Sequence, residues 1–282
     1  MAFRKPYNIL RTPLEEKSLF PYDVIVHFSY HKCLTAYYTK IMKKLAKEFG
    51  LYQKHFRGHL DRFEEAVAQV KKKSVLSINN KSNISFSKFP NYKGSHFLRD
   101  PRDLVVSGYY YHLWTKEKWC NSPDFDWARI TKHRFFATYI ENHASNYPIN
   151  ISYKEYLNSL DKETGFILEI ILRDDHFSNM RSWDFANPNI IEFKFEEIIS
   201  NEAECFRKIF EHYGFHPSLV KRGTQIAELF SLKNRNKSNT GHVRKGTPKQ
   251  WPHEFSPLLK DLFKEATGDL LIVLDYEKNM SW

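Results

Sequence analysis

The sequence contains few cysteines, and their spacing excludes two common uses of this residue. Only three occur among 282 residues, Cys33, Cys120 and Cys205, and no two of them form a C-x-x-C pair. An odd number of isolated cysteines excludes a disulfide scaffold and a cysteine-based zinc site, so we expect no metal centre. Unpaired cysteines also favour a reducing compartment, and we therefore predict a cytoplasmic location.

Long apolar stretches are absent as well. The N-terminus, MAFRKPYNILRTPLEEK, has neither an apolar core nor a cleavage site, which excludes a secretory signal. No uncharged run elsewhere is long enough to span a bilayer, so no transmembrane segment is predicted. Apolar residues nevertheless make up 41% of the chain and aromatic residues 16%. This composition is typical of a globular protein. The aromatic residues exceed what core packing needs, so some of them are expected to line a ligand pocket.

Acidic residues are outnumbered by basic ones. Lysine and arginine total 43 against 33 aspartates and glutamates, which gives a formal net charge of +10. The excess indicates an anionic ligand or partner. Nucleic acid, an acidic membrane surface and a polyanionic small molecule all fit on charge alone.

Neither an internal repeat nor a clear linker divides the chain. We predict a single α/β domain over residues 1–282, with a central parallel sheet flanked by helices. Residues 1–22 are expected to form an irregular N-terminal arm that packs on the body. Short apolar runs predict strands at 23–28, 74–78 and 189–195.

The helical spacing of apolar residues predicts several helices. They cover 34–49, the second half of 54–73, 151–173 with a break near Gly165, a segment that runs through Cys205 and ends at Gly214, and 255–267.

The first strand leads into a turn and a helix that have the outline of a phosphate-binding loop. Backbone N–H groups at the start of such a helix favour an anion, and Lys32 in the turn adds a mobile positive charge. The Walker pattern G-x-x-x-x-G-K-[ST] is absent, and no glycine lies between the strand and Gly50, which weakens an ATP-binding interpretation. The alternative for Lys32 is a solvated surface lysine.

A second anion-binding feature lies at residues 96–112. A strand ends at Arg99, an Asp-Pro turn follows, and Ser107 lies about two turns into the next helix. Ligands bind at the carboxyl ends of parallel strands, where the Arg99 guanidinium would offer an anion two parallel donors. The alternative is a local ion pair between Arg99 and Asp103 or Asp100.

Residues 231–250 are polar, strongly basic and nearly free of apolar side chains. This composition predicts a surface loop that becomes ordered when it covers a bound anion.

Three of these segments together resemble the sulfotransferases that use 3'-phosphoadenosine 5'-phosphosulfate (PAPS). Residues 31–37, HKCLTAY, are similar to that family's 5'-phosphosulfate loop, P-K-S-G-T-T-W. Residues 99–112, RDPRDLVVSGYYYH, match its 3'-phosphate motif, including the Arg-to-Ser spacing. Residues 244–251, RKGTPKQW, resemble its C-terminal R-K-G-x-x-x-x-W segment, and KFEEI at 194–198 is a softer match to a Tyr-Glu-Asp/Glu sequence.

The resemblance implies an enzyme that moves a sulfuryl group from PAPS to a hydroxyl or amine of an acceptor by in-line displacement, with 3',5'-adenosine bisphosphate (PAP) as the product. Lys32 would hold the 5'-phosphate and stabilise charge on the oxygen that leaves sulfur. Thr35 would hydrogen-bond the same phosphate.

The resemblance also implies which residues bind the cofactor. The P-loop-like phosphosulfate-binding loop would consist of Lys32, Cys33, Leu34, Thr35, Ala36 and Tyr37. The 3'-phosphate would be bound by Arg99, Ser107 and Arg244, with Lys245 and Gly246 lending charge and a backbone N–H, and the rings of Tyr37 and Phe195 would lie near adenine.

The chain departs from the family pattern at several positions. Leu34 replaces the usual glycine, Ala36 the usual second threonine, and Phe195 a tyrosine. The family's base histidine usually follows the strand that precedes the 3'-phosphate strand, where this chain has only Ser-Ile-Asn-Asn at 77–80.

The base that accepts the acceptor's proton must therefore come from elsewhere. His112 is our candidate, because it follows Ser107 by five residues on a helix whose N-terminal end faces the cofactor. The alternative for His112 is a histidine packed among tyrosines, and His55, His59 and Glu117 are rival bases.

Two other functions fit parts of the sequence. One is a nucleotide kinase with an aberrant P-loop, against which the missing glycines and the lack of a clear magnesium-binding acid count. The other is a non-enzymatic binder of nucleic acid or another polyanion. PAPS, itself a polyanion, accounts for most of the same positive charge, so we expect no nucleic-acid partner.

The acceptor is expected to be a small molecule, a carbohydrate or a lipid. The aromatic residues after His112 either pack in the core or line the acceptor pocket. They are Trp114, Trp119, Phe125 and Trp127.

Overall fold

A single parallel sheet organises the part of the chain that the structure describes. The computed structural model describes residues 19–56, 73–79, 86–89, 91–141, 148–232 and 246–282. Within these ranges five parallel strands form one sheet in the order β2-β3-β1-β4-β5. The strands are β1 (Val24–Ser29), β2 (Tyr52–Phe56), β3 (Ser74–Asn79), β4 (Tyr92–Leu98) and β5 (Ile190–Lys194). The predicted central parallel sheet flanked by helices is confirmed.

Helices cover both faces of the sheet. The α-helices are α1 (Thr35–Phe49), α2 (Pro101–His112), α3 (Lys118–Asn121), α4 (Ala128–Thr131), α5 (Tyr153–Ser159), α6 (Lys162–Leu172), α7 (Asp174–Arg181), α8 (Phe195–Ser200), α9 (Glu202–His212), α10 (Pro217–Leu229), α11 (Pro257–Thr267) and α12 (Leu270–Val273). A π-helix spans Phe136–Glu141, and 3₁₀ turns span Phe86–Lys88 and Trp251–His253. Among the described helices, none is both long enough and apolar enough to cross a membrane.

The central strand β1 is buried over its whole length because it has a neighbour on each side and helices on each face. Its alternate side chains serve two different cores. Ile25 packs with Phe97 of β4 and with α1, α9 and α10, whereas Val26 and Phe28 pack on the opposite face. A continuous apolar run is the sequence pattern that this two-sided burial requires.

The edge strand β2 was not predicted from the sequence. It pairs only with β3, and Phe56 is its one buried residue. The helix predicted for the second half of 54–73 lies outside the described residues, which resume at Lys73. An edge strand needs little apolar burial, so its sequence, YQKHF, lacks the run that marks the central strands.

The position predicted for a helix break, near Gly165, is wrong. The chain breaks at Leu160 and Asp161, where the Asp161 carboxylate accepts hydrogen bonds from the backbone N–H groups of Glu163 and Thr164 and caps α6. Gly165 lies inside α6, and a Cβ there would be 2.6 Å from the Tyr109 ring. The glycine therefore permits close packing of α6 against α2 instead of ending a helix.

The sheet order creates a topological switch point between β1 and β4, at which a crevice is expected. From the end of β1 the chain continues through α1 toward β2, and from the end of β4 it continues through α2 toward β5, on the other side of the sheet. The connections thus diverge from two adjacent strands. Such a switch point is where open α/β sheets bind ligands.

The close pairing of β4 with both neighbours yields a test of the fold. A Cβ at Gly94 would lie 2.7 Å from the Val26 carbonyl oxygen and 2.5 Å from Ile190 Cδ1. We expect Gly94→Ala to lower the free energy of unfolding by about 3 kcal/mol, the upper end for overpacking, because a backbone oxygen cannot rotate away. Urea unfolding measures this value.

Gly50→Ala is the control for Gly94→Ala. No atom lies within 4 Å of a Cβ at Gly50, whose φ is +74°. Its substitution isolates the cost of left-handed backbone, about 1 kcal/mol. Equal costs for the two variants would contradict the close approach at Gly94.

Candidate active site

The turn after β1 has the backbone form of an anion-binding loop. Lys32 and Leu34 both adopt left-handed φ angles, of 70° and 61°. Leu34 is the N-cap of α1 and makes no side-chain cap hydrogen bond, and the first turn of α1 has no acidic residue. The N–H groups at this helix start are therefore left for an external anion. Leu34 adopts the conformation that a glycine would adopt freely, at a cost of about 1–2 kcal/mol.

The remaining loop side chains differ in what they offer. Thr35 Oγ1 lies 2.5 Å from Ser29 Oγ at the end of β1, and Ala36 is exposed. The Cys33 side chain is fully buried, and burial raises the pKa of its thiol to about 12. The Cys33 backbone N–H already donates to the Tyr30 carbonyl oxygen at 3.0 Å, so of these two residues only Ala36 can contribute a backbone N–H.

The ring of Tyr37 does not lie where the resemblance implied. It is buried against Phe206, and its hydroxyl lies 2.6 Å from Glu202 Oε2 and 2.8 Å from the Ala227 carbonyl oxygen. The third residue of α1 thus faces the core between α1, α9 and α10. Its ring is not available to adenine.

Lys32 is held in the crevice by an aromatic ring. Its Nζ lies 3.7 Å from the centroid of Tyr111 on α2. Burial and the nearby guanidinium groups of Arg99 and Arg173 lower the pKa of Lys32 to about 7. Three cationic side chains therefore converge on one loop, which is the electrostatic setting of an anion site.

Arg99 is buried at the end of β4 and contacts the loop directly. Only 4% of it is exposed, its Nη1 donates to the Lys32 carbonyl oxygen at 3.3 Å, and its guanidinium lies 4.3 Å from the centroid of the Phe195 ring. Phe195, expected near adenine, is the first residue of α8 and supports this guanidinium. The Nε of Arg99 has no hydrogen-bond partner among the described residues.

The local ion pair that was the alternative for Arg99 is formed mainly by its neighbour. Arg102 binds both carboxylate oxygens of Asp100, at 2.8 and 3.0 Å. Asp103 lies 4.0 Å from Arg99, and its Oδ1 accepts the backbone N–H groups of Gln250 and Trp251. Arg99 therefore retains donor capacity for a ligand.

Asp103 also ties the C-terminal segment to the start of α2, because its carboxylate accepts hydrogen bonds from the backbone of Gln250 and Trp251. These two residues follow the R-K-G sequence closely along the chain. Arg244 and Lys245 lie outside the described residues, as does most of the predicted loop at 231–250. Gly246 is described and has a left-handed φ of 66°. Ser107 is half-buried within α2.

His112 is completely buried at the end of α2. Its Nδ1 is hydrogen-bonded to Glu169 Oε1, and its Nε2 has no hydrogen-bond partner in the described part of the chain. The His31 ring lies over it, with centroids 5.4 Å apart and an interplanar angle of 25°. Burial lowers the pKa of His112, opposed in part by the Glu169 carboxylate, so the ring is neutral.

The rival bases are placed differently. His55 lies on the edge strand β2, where its Nδ1 is 2.7 Å from Ser77 Oγ, two strands away from β1. His59 lies outside the described residues. Glu117 is close to the site, since it accepts hydrogen bonds from Tyr111, which contacts Lys32, and from Trp119 Nε1.

Sequence reasoning did not single out His31, Glu169 and Arg173 as functional. His31 was taken only as part of the loop motif. Glu169 and Arg173 are charged residues in the otherwise apolar run FILEIILR at 166–173, and this is the signal that was available.

The lowered pKa of Lys32 predicts how the free energy of unfolding depends on pH. Between pH 7 and its ordinary pKa of about 10.4, Lys32 binds a proton more readily in the unfolded chain, so this residue favours folding more as pH rises. We expect Lys32→Met to raise the free energy of unfolding at neutral pH, with a gain that shrinks toward pH 10. Urea unfolding across this range measures the difference.

Lys208→Met is the control for Lys32→Met, since the Lys208 side chain is 54% exposed on α9. It removes a lysine in the same way, but from the surface. A gain from Lys32→Met that does not shrink between pH 7 and pH 10 would show that Lys32 is not perturbed.

Comparison with known proteins identifies the family. The model of the sulfotransferase domain matches residues 27–278. No curated protein sequence matches the chain significantly. Solved structures with a similar fold include mouse sulfotransferase SULT7A1 complexed with PAP, at 16% identity over 91% of this chain and 88% of that one, with a TM-score of 0.49. They also include retinol dehydratase with retinol and PAP, at 13% identity over 91% and 83% of the two chains, with a TM-score of 0.46. Because the domain match covers nearly the whole sequence, this chain belongs to the sulfotransferase family.

Proposed function

We propose that this protein transfers the sulfuryl group of PAPS to a hydroxyl or amine of a small acceptor and releases PAP. The observation that carries the proposal is the meeting of Lys32 and Arg99 across the crevice, beside an uncapped helix start. When bound, PAPS supplies a sulfuryl group on a phosphate, which is already a good leaving group. The transfer then needs positioning and charge stabilisation, and we propose that it needs no metal.

The loop residues fit the 5'-phosphosulfate. The α1 N-terminus offers the backbone N–H groups of Thr35 and Ala36, and Thr35 adds a hydroxyl beside them. Lys32, whose pKa is lowered to about 7 without an anion, gains a full charge when an anion binds next to it. Its ammonium then stabilises the charge that develops on the leaving oxygen.

The 3'-phosphate is assigned to the end of β4. Arg99 is buried, supported by Phe195 and left with an unpartnered Nε, as a preorganised guanidinium should be. Ser107 would add its hydroxyl. Arg244, Lys245 and Gly246 would close over the phosphate from the segment that Asp103 ties to α2.

His112 is the proposed base. The Nδ1–H of its neutral ring donates to Glu169, which leaves Nε2 as the atom that takes the acceptor's proton. Glu117 is the second candidate because, of the two rivals that the structure describes, it is the one that contacts the rings around Lys32.

The acceptor is proposed to bind beside Trp119. This ring is 38% exposed and lies 5.0 Å from the His112 ring. Trp127, by contrast, is buried and donates its Nε1–H to the Ile151 carbonyl oxygen, so it serves packing. An exposed ring beside the reacting groups suits a carbohydrate, a lipid or an aromatic alcohol.

We also propose a cytoplasmic location. Cys33, Cys120 and Cys205 are buried free thiols, as expected of a protein that folds in a reducing compartment.

Cofactor binding tests the proposed function directly. PAP is expected to stabilise the protein by about 2.7 kcal/mol at a hundredfold excess over its Kd, measured as a thermal shift without metal. Arg99→Ala should weaken PAP binding by about 10- to 100-fold, the worth of a charge-assisted hydrogen bond. Arg207→Ala, on the exposed side of α9, is the matched control and should bind PAP normally.

ADP and ATP are the competing ligands in this titration. Equal or better stabilisation by ATP would favour the nucleotide kinase. No response to any nucleotide, together with strongly salt-dependent binding of DNA or RNA, would favour the polyanion binder.

The role of His112 has its own test. We expect His112→Ala to lower the rate of PAP release from PAPS by about 100-fold or more, with PAP affinity unchanged, because the variant lacks the proton acceptor and keeps Lys32 and Arg99. The rate is measured with a panel of hydroxyl and amine acceptors. Near-normal turnover in His112→Ala and a large loss in Glu117→Gln would transfer the role to Glu117.

A further inference from the structure

Beneath the loop and the end of α2 lies a buried ion pair that the proposed function does not use. Glu169 lies in the last turn of α6 and Arg173 is the residue that follows this helix. The two side chains are 0% and 1% exposed, and Arg173 Nη2 lies 3.5 Å from Glu169 Oε2. A buried ion pair is costly and contributes little to stability. Its presence therefore calls for a role beyond packing.

The neighbouring helix α2 has a glycine at the point where this ion pair packs against it. A Cβ at Gly108 of α2 would lie 2.5 Å from Glu169 Oε2 and closer still to Arg173 Nη2. Gly108 thus lets the two charged groups pass directly under α2, between His112 and the loop.

Glu169 determines which nitrogen of His112 carries the proton. Oε1 of Glu169 accepts from His112 Nδ1 and from the Tyr153 hydroxyl at 2.8 Å. His112 and Arg173 lower the pKa of Glu169 against the effect of burial, so it is a carboxylate and can only accept. The proton of the neutral His112 ring therefore lies on Nδ1, and Nε2 is a bare acceptor.

Arg173 determines the opposite arrangement in His31. Both Nη1 and Nη2 of Arg173 lie 3.4 Å from His31 Nδ1. A guanidinium can only donate, so His31 Nδ1 must be an acceptor. The neutral His31 ring then carries its proton on Nε2.

We propose that the Glu169–Arg173 pair holds the two stacked histidines in opposite tautomers, so that His112 presents a proton acceptor and His31, next to Lys32, presents a hydrogen-bond donor to an anionic group in the loop. This inference rests on the proposed function and deepens it. Glu169 and Arg173 are positioning residues, and His31 becomes a third donor of the loop, beside Lys32 and Thr35.

The surroundings keep both rings neutral. Burial, followed by Arg173, His112, Lys32 and His176, lowers the pKa of His31. His112 faces Glu169, Arg173 and Lys32, together with the Tyr153 hydroxyl and the Cys120 thiol. Of these groups only Glu169 favours the charged form of His112.

Nitrogen-15 NMR of the full-length protein labelled at histidine tests the tautomers without any activity measurement. Protonated and bare ring nitrogens have well-separated chemical shifts, and His31→Gln and His112→Gln assign the two rings. We expect a bare Nε2 in His112 and a bare Nδ1 in His31 in the unsubstituted protein. A bare Nδ1 in His112, or a protonated Nδ1 in His31, would overturn the proposal.

Two variants test the cause. Arg173→Met removes a cation that faces both rings, so the pKa of His31 and of His112 should rise, and the acid limb of the pH profile for PAP release should move to higher pH. Glu169→Gln should lower the pKa of His112 and lower turnover by about 100-fold while PAP affinity is retained. Glu211→Gln and Arg207→Met, an exposed pair on α9, are the matched controls.

The thermal shift with PAP, measured on the same samples, separates two failures. Opposite tautomers in a protein that does not bind PAP would refute the proposed function but not the pairing of the histidines. PAP binding with the same tautomer in both rings would refute the role of the Glu169–Arg173 pair alone. If a variant fails to fold, the tautomers of the unsubstituted protein still decide.

Discussion

The parallel hydrogen-bond ladder between β1 and β4 is the constraint on which the site depends. It pairs Phe28 with His96 and Ser29 with Phe97, so the two strands end side by side although they are distant in the sequence. Both are buried on both faces, and a shift of one residue would turn every side chain to the opposite core. The turn that carries Lys32 and the residue Arg99 are therefore attached to a part of the sheet whose register is strongly specified.

The positive charges around this crevice have different roles, as two arginines three residues apart show. Arg99 follows β4, and Arg102 lies in the first turn of α2. Arg102 is bound by Asp100 and Glu277 and stacked on Trp251 and Trp282, so it is satisfied within the fold. Arg99 is almost as buried but has a distant carboxylate and an unpartnered Nε. A buried cation without a close anion lowers stability, and a bound anion relieves that cost. Under the proposed function, the residue that destabilises the ligand-free protein would thus supply binding energy.

Local sequence patterns predicted the parts of the site that depend on local structure. The strand, turn and helix around Lys32 were predicted because apolar periodicity and chain order determine them, and Arg99 was predicted because a strand end and an Asp-Pro turn fix its place. The ring of Tyr37 was expected near adenine and lies in the core instead. It stands at a helix start, where a change of backbone direction decides whether a ring faces the ligand or the core, and no local pattern records that direction.

The sequence by itself determined the α/β class, the two turns proposed to bind anions and the family, because these depend on short segments whose spacing is visible in the chain. Tertiary structure alone decided what surrounds them. His31, His112 and the Glu169–Arg173 pair come from three separate segments, and their contacts depend on how α6 packs beneath α2 at Gly108. Proton positions on the two histidines follow from those contacts, since a carboxylate can only accept and a guanidinium can only donate.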